Sequence, residues 1–273
     1  MHIRASLKLS NNIEIPVFGL GTYLSKPGEE SYNAVRYAID EGYIHFDTAA
    51  FYQNEADIGK AIKDSEVSRD NLFVTTKVWN TDQGFDNTLN AFDRSMKKLD
   101  LDYVDLYLIH WPQQGTRSDT WKAIEKIYDS GKVKSIGVSN YTVKHLKELS
   151  ENADILPMVN QVELSPYLYQ KDLIEFSKEL QIVTEAYSPL TRRRKFNDQK
   201  LVEIAEKYSK SPAQILIRWC LQKGLVVLPK SSNPERIKEN ANVFDFEIND
   251  NDISLLDSFN ENFRIAWNPE TVD

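Results

Sequence analysis

The chain has 273 residues with ordinary shares of hydrophobic (41%) and charged (27%) side chains, which excludes wholesale disorder. Its 41 acidic residues outnumber its 33 basic residues and leave a net charge of −8, so we expect neither a nucleic-acid nor a membrane partner. Because Cys220 is the only cysteine and no leader-like or membrane-spanning apolar run is found, the composition predicts a cytoplasmic protein without disulfides.

The first predicted element is a β-hairpin near the start of the chain. Two short runs, residues 6–9 and 13–16, flank Asn11 and Asn12, and asparagine tolerates the positive φ that tight turns require. After the hairpin, short apolar runs typical of strands buried on both faces alternate with helical patterns. The predicted strands cover residues 17–21, 43–47, 72–77, 104–109, 133–138, 158–163, 182–186 and 225–228.

Helical patterns fill the intervals between these strands. Apolar residues recur at helical spacing in residues 29–41 and 86–99, and Ser211 followed by Pro212 marks the start of a further helix. Eight strand–helix units over about 250 residues predict an α/β fold, a closed (β/α)₈ TIM barrel preceded by the hairpin. An open doubly wound sheet would need a glycine-rich phosphate loop after its first strand, which residues 19–24 do not supply. We therefore expect one barrel domain over residues 1–273.

Chemically active side chains stand at the ends of the predicted strands, where barrel enzymes carry their active sites. The second strand ends at Asp47, with Tyr52 shortly after it, the third ends at Lys77, and the fourth leads into His110. An ammonium lowers the pKa of a neighbouring phenol, so Lys77, held by Asp47, would tune Tyr52 as a general acid. His110 can hydrogen-bond and orient a substrate oxygen. The four residues together fit reduction of a carbonyl by hydride from a cofactor.

Each of these residues also has a structural interpretation. Lys–Asp pairs at strand ends are often structural, a tyrosine after a strand is usually packing, and His45 is expected to be a core histidine. The alternative chemistry is that of a Schiff-base lyase, in which Lys77 would attack a carbonyl. A metal site is not expected, because the chain has four histidines, of which His2 and His145 lie outside the strand ends.

Seven motifs follow one another along the chain in a fixed order. They are GYIHFDTA (42–49) with YQNE (52–55), TKVW (76–79), LIHWP (108–112), GVSN (137–140), NQVE (160–163), AYSPL (186–190) and LPKSSNPERIKEN (228–240). In this order the motifs resemble those of the aldo-keto reductase family, in particular its prokaryotic branch similar to diketogluconate reductases. The resemblance extends from about residue 15 to residue 257. It implies NADPH-dependent reduction of aldehydes or ketones, with NADH less favoured as the cofactor.

The resemblance also implies a role for individual residues. Tyr52 would be the proton donor, Lys77 the neighbour that lowers its pKa, Asp47 the partner of Lys77, and His110 the residue that positions the carbonyl. The cofactor site that it implies comprises Gly21, Thr22, Asp47, Ser139, Asn140, Gln161, Tyr187, Ser188, Pro189, Leu190, Lys230, Ser231, Ser232, Arg236, Glu239 and Asn240. Barrels often bind phosphate after their seventh and eighth strands, which agrees with this set.

Aromatic side chains are expected around the substrate opening. They are Tyr23, Phe51, Trp79, Trp111 and Trp267, together with His110, and of these Trp79 and Trp111 closely follow the catalytic candidates Lys77 and His110. Such walls suit a mostly apolar pocket for a small carbonyl compound. The short tail after residue 257 predicts an open pocket and broad specificity.

The chain departs from the family at Thr191, where glycine is usual. The basic residues 192–195 follow it and are either a lid over the cofactor pyrophosphate or a solvated charge run. A redox sensor that binds NADPH but turns over little is a further alternative to an enzyme. We expect a monomer or a weak homodimer.

Overall fold

The computed structural model describes residues 1–272 and begins with a small antiparallel hairpin. Its strands are β1 (Ser6–Lys8) and β2 (Glu14–Pro16). Between them Asn12 has a φ of 71°, and the Asn11 Oδ1 accepts a hydrogen bond from the Ile13 N–H at 3.2 Å. The predicted hairpin and its asparagine turn are confirmed.

Eight parallel strands in residues 1–272 follow one another around a barrel in chain order. They are β3 (Leu20–Gly21), β4 (His45–Asp47), β5 (Phe73–Val78), β6 (Val104–Ile109), β7 (Val133–Ser139), β8 (Val159–Glu163), β9 (Val183–Tyr187) and β10 (Val226–Leu228). Parallel bridges between Phe18 and Val227 and between Gly21 and Lys230 join the first strand to the last. The predicted (β/α)₈ barrel is confirmed.

Helices surround this barrel. They are α1 (Glu29–Asp40), α2 (Glu55–Lys63), α3 (Phe85–Leu99), α4 (Arg117–Asp129), α5 (Val143–Ser150), α6 (Lys171–Glu179), α7 (Gln199–Lys207), α8 (Pro212–Gln222), α9 (Pro234–Ala241) and α10 (Asp250–Asp257). The predicted start of α8 is confirmed, because Ser211 and Gln214 form a capping box there. No helix within residues 1–272 has the length and apolar character needed to span a membrane.

Close packing of two neighbouring strands fixes one wall of the later site. A side chain at Gly137 in β7 would come within 2.5 Å of the Val159 carbonyl oxygen in β8, so only glycine allows these strands to pair there. Their carboxyl ends carry Ser139 and Gln161, which are paired in the same register. Cys220 in α8 is fully buried, as expected for a core residue.

Candidate active site

A buried ion pair joins two neighbouring strands. Asp47 ends β4, and Lys77 lies near the end of β5. The Lys77 Nζ donates to both carboxylate oxygens of Asp47 at 2.7 Å and to the Thr48 carbonyl at 2.9 Å. Lys77 is fully buried and Asp47 is 3% exposed. Because a buried charge is tolerated only with a well-placed partner, each residue fixes the other.

The Tyr52 hydroxyl lies beside this pair. Tyr52 ends a short turn after β4, and its oxygen is 3.5 Å from the Lys77 Nζ. Burial raises the pKa of Tyr52 well above 10, and the Asp47 carboxylate adds to this effect. The net shift is upward because desolvation of the phenol dominates and Asp47 pairs with the Lys77 ammonium, and a lowering of this pKa by Lys77 stays a prediction. Tyr52 thus keeps its proton at neutral pH.

His110 directly follows β6 and approaches Tyr52 from another side. The two ring centres are 5.5 Å apart and nearly perpendicular, and His110 is 7% exposed. Burial lowers the pKa of His110 well below 6.5, and Lys77 contributes in the same direction. Its Nδ1 is enclosed and has no hydrogen-bond partner among residues 1–272. The imidazole is therefore neutral at physiological pH.

A second carboxyl group lies beneath the ion pair. The Gln161 Nε2 donates to the Asp47 Oδ2 at 2.8 Å and to the Glu185 Oε2 at 2.9 Å. Glu185 is fully buried, and its burial, followed by the repulsion from Asp47, raises its pKa to about 8. The His45 Nε2 lies 3.7 Å from the Glu185 Oε1. Burial lowers the pKa of His45 to about 3. Sequence reasoning missed Glu185, although alternation along β9 places it on the same face as Tyr187.

Four of the predicted cofactor residues form one hydrogen-bonded group. The Ser139 Oγ donates to the Gln161 carbonyl at 2.7 Å. The Asn140 Nδ2 donates to the Ser139 Oγ at 3.1 Å, and its Oδ1 accepts from the Tyr187 hydroxyl at 2.7 Å. Asn140 also donates to the His110 carbonyl at 2.9 Å, which ties the group to the catalytic candidates.

A cavity of about 600 Å³ opens onto these residues. Every predicted site residue lines it except Lys77, which lies behind Asp47, and Thr22. Thr22 is fully buried, and its Oγ1 donates to the Asp47 carbonyl at 2.8 Å. Gly21 therefore lines the cavity and Thr22 does not, because consecutive residues of an extended chain face opposite sides, and a contact of Thr22 with the cofactor stays a prediction. Sequence reasoning missed Asn233, which also lines the cavity.

Two cationic side chains lie at the far end of the cavity. Lys230 follows β10, Arg236 lies in the first turn of α9, and both line the cavity. The Asn233 side chain caps this helix by accepting from the Arg236 N–H at 3.0 Å. Because a helix N-terminus carries partial positive charge, this end of the cavity favours an anion.

The basic run after β9 divides into two parts. Thr191, Arg192 and Arg193 have φ values of 50°, 46° and 65°, a region that favours glycine, which accounts for the glycine usual at this position. Arg192 and Arg193 line the cavity, and the Arg192 guanidinium lies 5.6 Å from the ring centre of Tyr23. Lys195 instead forms an ion pair with Glu261, which follows helix α10.

Aromatic rings form the walls at the catalytic end. Phe51 stacks on Trp79 with ring centres 3.8 Å apart and planes 15° apart. The Trp267 ring lies 5.4 Å from Trp111 and 6.2 Å from Trp79. The aromatic residues predicted to surround the substrate therefore line one cavity, and Trp267, near the C-terminus, is one of them.

Comparisons with known proteins agree with this geometry. A profile of the Aldo/keto reductase family matches residues 17–261. The glyoxal reductase of Bacillus subtilis (strain 168) is 48% identical over 270 residues, which cover 99% of this chain and 98% of that protein. The structure of an aldo-keto reductase from a Medee basin deep-sea metagenome library has a TM-score of 0.95 at 46% identity, covering 98% of this chain and 100% of that one. The structure of an aldo-keto reductase from Bombyx mori in complex with NADP has a TM-score of 0.90 at 35% identity, covering 97% of this chain and 96% of that one. The chain therefore belongs to the aldo-keto reductase family.

Proposed function

We propose that this protein is an NADP-dependent oxidoreductase that reduces aldehydes and ketones to alcohols. The observation that carries the proposal is the meeting of a buried Lys77–Asp47 pair, a protonated Tyr52 and a neutral His110 at one end of a single cavity. A relative named glyoxal reductase and a structural neighbour in complex with NADP support it.

The residues along the cavity fit a nicotinamide dinucleotide. Ser139, Asn140 and Gln161 offer hydroxyl and amide groups suited to a carboxamide, and Lys230 and Arg236 offer charges suited to phosphates. NADPH, when bound, supplies the hydride. We propose NADPH rather than NADH because two cations and a helix N-terminus converge at the far end of the cavity.

The chain's own residues would handle the carbonyl oxygen. His110, with its proton on the outward Nε2, would donate a hydrogen bond that orients and polarises this oxygen. Tyr52 would give its proton to the same oxygen as negative charge develops there. The phenolate left on Tyr52 would then face the Lys77 ammonium 3.5 Å away. The cation thus contributes after proton transfer begins, while Asp47 keeps it in place before.

The lyase alternative finds little support in the same contacts. A Schiff-base lysine must expose a neutral amine to its substrate. The Lys77 Nζ instead donates to Asp47 and to the Thr48 carbonyl, and its side chain does not line the cavity. The sensor alternative predicts NADPH binding with little turnover.

One experiment separates these functions. NADPH oxidation is followed for the wild type and Tyr52→Phe with a panel of aldehydes, ketones and keto-sugars. We expect turnover by the wild type and its loss in the variant, with NADPH binding retained. Equal rates would exclude Tyr52 as the proton donor, and tight binding without turnover would identify a sensor. A borohydride-trapped adduct at Lys77 would identify the lyase.

A further inference from the structure

Glu163 is a buried carboxylate that the proposed mechanism does not use. It ends β8, two residues beyond Gln161, and is 4% exposed. Its Oε1 accepts a hydrogen bond from the Ile265 N–H at 2.7 Å, and its Oε2 accepts one from the Ala266 N–H at 2.9 Å. One carboxylate therefore holds two consecutive peptide groups of the C-terminal segment.

A second tether starts from the same residue. The Gln170 Nε2 donates to the Glu163 carbonyl at 2.7 Å. The Gln170 Oε1 in turn accepts from the Arg264 Nη2 at 3.2 Å. Residues 264–266 are thus anchored to the carboxyl end of β8 by both the side chain and the main chain of Glu163.

The anchored segment leads directly into Trp267. This indole is 57% exposed, yet its ring contacts Trp111 and Trp79 at the substrate end of the cavity. Ile265 and Ala266 line the same cavity. A largely exposed ring has little packing of its own, so its place depends on the backbone on both sides of it, which includes the anchored residues 264–266.

We infer that Glu163 is a positioning residue, which fixes Trp267 as the outer wall of the substrate pocket and thereby favours carbonyl substrates with a large planar substituent. The inference rests on the proposed carbonyl reduction. A planar group that leaves the carbonyl at His110 would pass Trp79 and reach Trp267. A two-carbon aldehyde would not extend that far, so it serves as the internal reference.

The first test measures the anchor itself. In Glu163→Gln the amide keeps the shape of the side chain but turns an NH₂ group toward one of the two peptide N–H groups. Hydrogen exchange at residues 265–267 should then accelerate about ten-fold, the equivalent of one lost hydrogen bond. Glu125→Gln is the matched control, because Glu125 accepts from the N–H groups of Asp154 and Ile155 at 2.9 and 2.8 Å without lining the cavity.

The second test measures substrate choice. The ratio of kcat/KM for benzaldehyde to that for acetaldehyde should fall about three- to ten-fold in Glu163→Gln, mainly through KM, and stay unchanged in Glu125→Gln. Glu163→Asp retains an acceptor and should restore part of the ratio. Trp267→Ala should lower the ratio similarly, and Glu163→Gln should add nothing in that background if it acts through Trp267.

Two results would overturn the inference: unchanged exchange at residues 265–267 in Glu163→Gln, or faster exchange with an unchanged substrate ratio. Failure of the proposed function has a different signature, since the wild type would then oxidise NADPH with none of the carbonyls. The exchange measurement would still decide whether Glu163 anchors the segment, whereas the specificity role would fall with the function.

Discussion

The Lys77 Nζ lies 2.7 Å from both carboxylate oxygens of Asp47, and both side chains are buried. This contact removes most of the net charge beside Tyr52. It accounts for a phenol whose pKa is set by burial rather than by the ammonium. In the proposed mechanism, the pair keeps a cation beside Tyr52 while the phenol still holds its proton.

Removal of Lys77 should strongly destabilise the fold. Lys77→Met leaves the Asp47 carboxylate buried and unpaired, which typically costs about 3–5 kcal/mol. Urea unfolding at neutral pH measures the loss. Lys63→Met, which breaks the exposed pair with Asp100, should cost at most about 1 kcal/mol. Similar losses in the two variants would contradict the assignment of a buried pair.

Tyr52→Phe should lower kcat for carbonyl reduction by about 10²–10⁴, the usual contribution of a positioned acid. The phenyl ring fills the same space, so the Kd for NADPH should change little. Steady-state kinetics and a fluorescence titration measure the two quantities. Tyr37→Phe, at an exposed position on α1, is the control and should retain full activity.

The contribution of Glu185 to stability should fall between about pH 4.5 and 8. Its raised pKa means that the folded state holds a proton that the unfolded chain releases. The stabilisation is complete below pH 4.5 and is lost as the pH rises to about 8, at about 1.4 kcal/mol per pH unit. Urea titrations across this range should show that slope in the wild type relative to Glu185→Gln. Glu179 is exposed, so the stability of Glu179→Gln should change with pH in the same way as that of the wild type.

His45 should act in the opposite sense at lower pH. Its pKa is lowered from 6.5 to about 3 in the folded state, so its stabilisation is present above pH 6.5 and is lost as the pH falls toward 3. The two groups should offset each other between about pH 4.5 and 6.5. His45→Gln should therefore lose less stability than the wild type as the pH falls from 6.5 toward 3, which thermal unfolding at each pH measures. The same loss of stability in the variant and the wild type over this pH range would contradict a neutral buried His45.

Arg236→Ala should weaken NADPH binding far more than NADH binding. Loss of one charge-assisted hydrogen bond to a phosphate corresponds to about 1–3 kcal/mol. Calorimetric titration of both cofactors measures the difference. Lys238→Ala removes an exposed cation from the same helix, α9, outside the cavity. Equal effects of the two substitutions would show that only net charge matters.

The proposed catalytic set could be recognised in the sequence because three of its four members lie at or near strand ends. Asp47 ends β4, Lys77 is the last but one residue of β5, and His110 follows β6, so the topology of the parallel barrel brings them together. Strand alternation also selects the faces that point inward. Applied to Gly21 and Thr22, the same rule places Gly21 alone on the cavity side.

The rest depends on contacts that local patterns do not encode. Glu163 and Ile265 are 102 positions apart, and their contact requires the finished fold. The direction of the Tyr52 pKa shift depends on how completely the phenol is desolvated, which composition and spacing do not determine. One domain over residues 1–273 and a monomer or weak homodimer stay predictions.

Pairing at the junction of β3 and β10 closes the barrel and completes the cavity proposed to bind the cofactor. Phe18 and Val227 meet there from near opposite ends of the chain. Until β10 docks, the cavity lacks the wall that carries Lys230 and Arg236. A chain that has not yet paired β10 therefore gains less from the dinucleotide, which by mass action stabilises the state that binds it best, the closed barrel. Folding before this step relies mainly on burial of the barrel core.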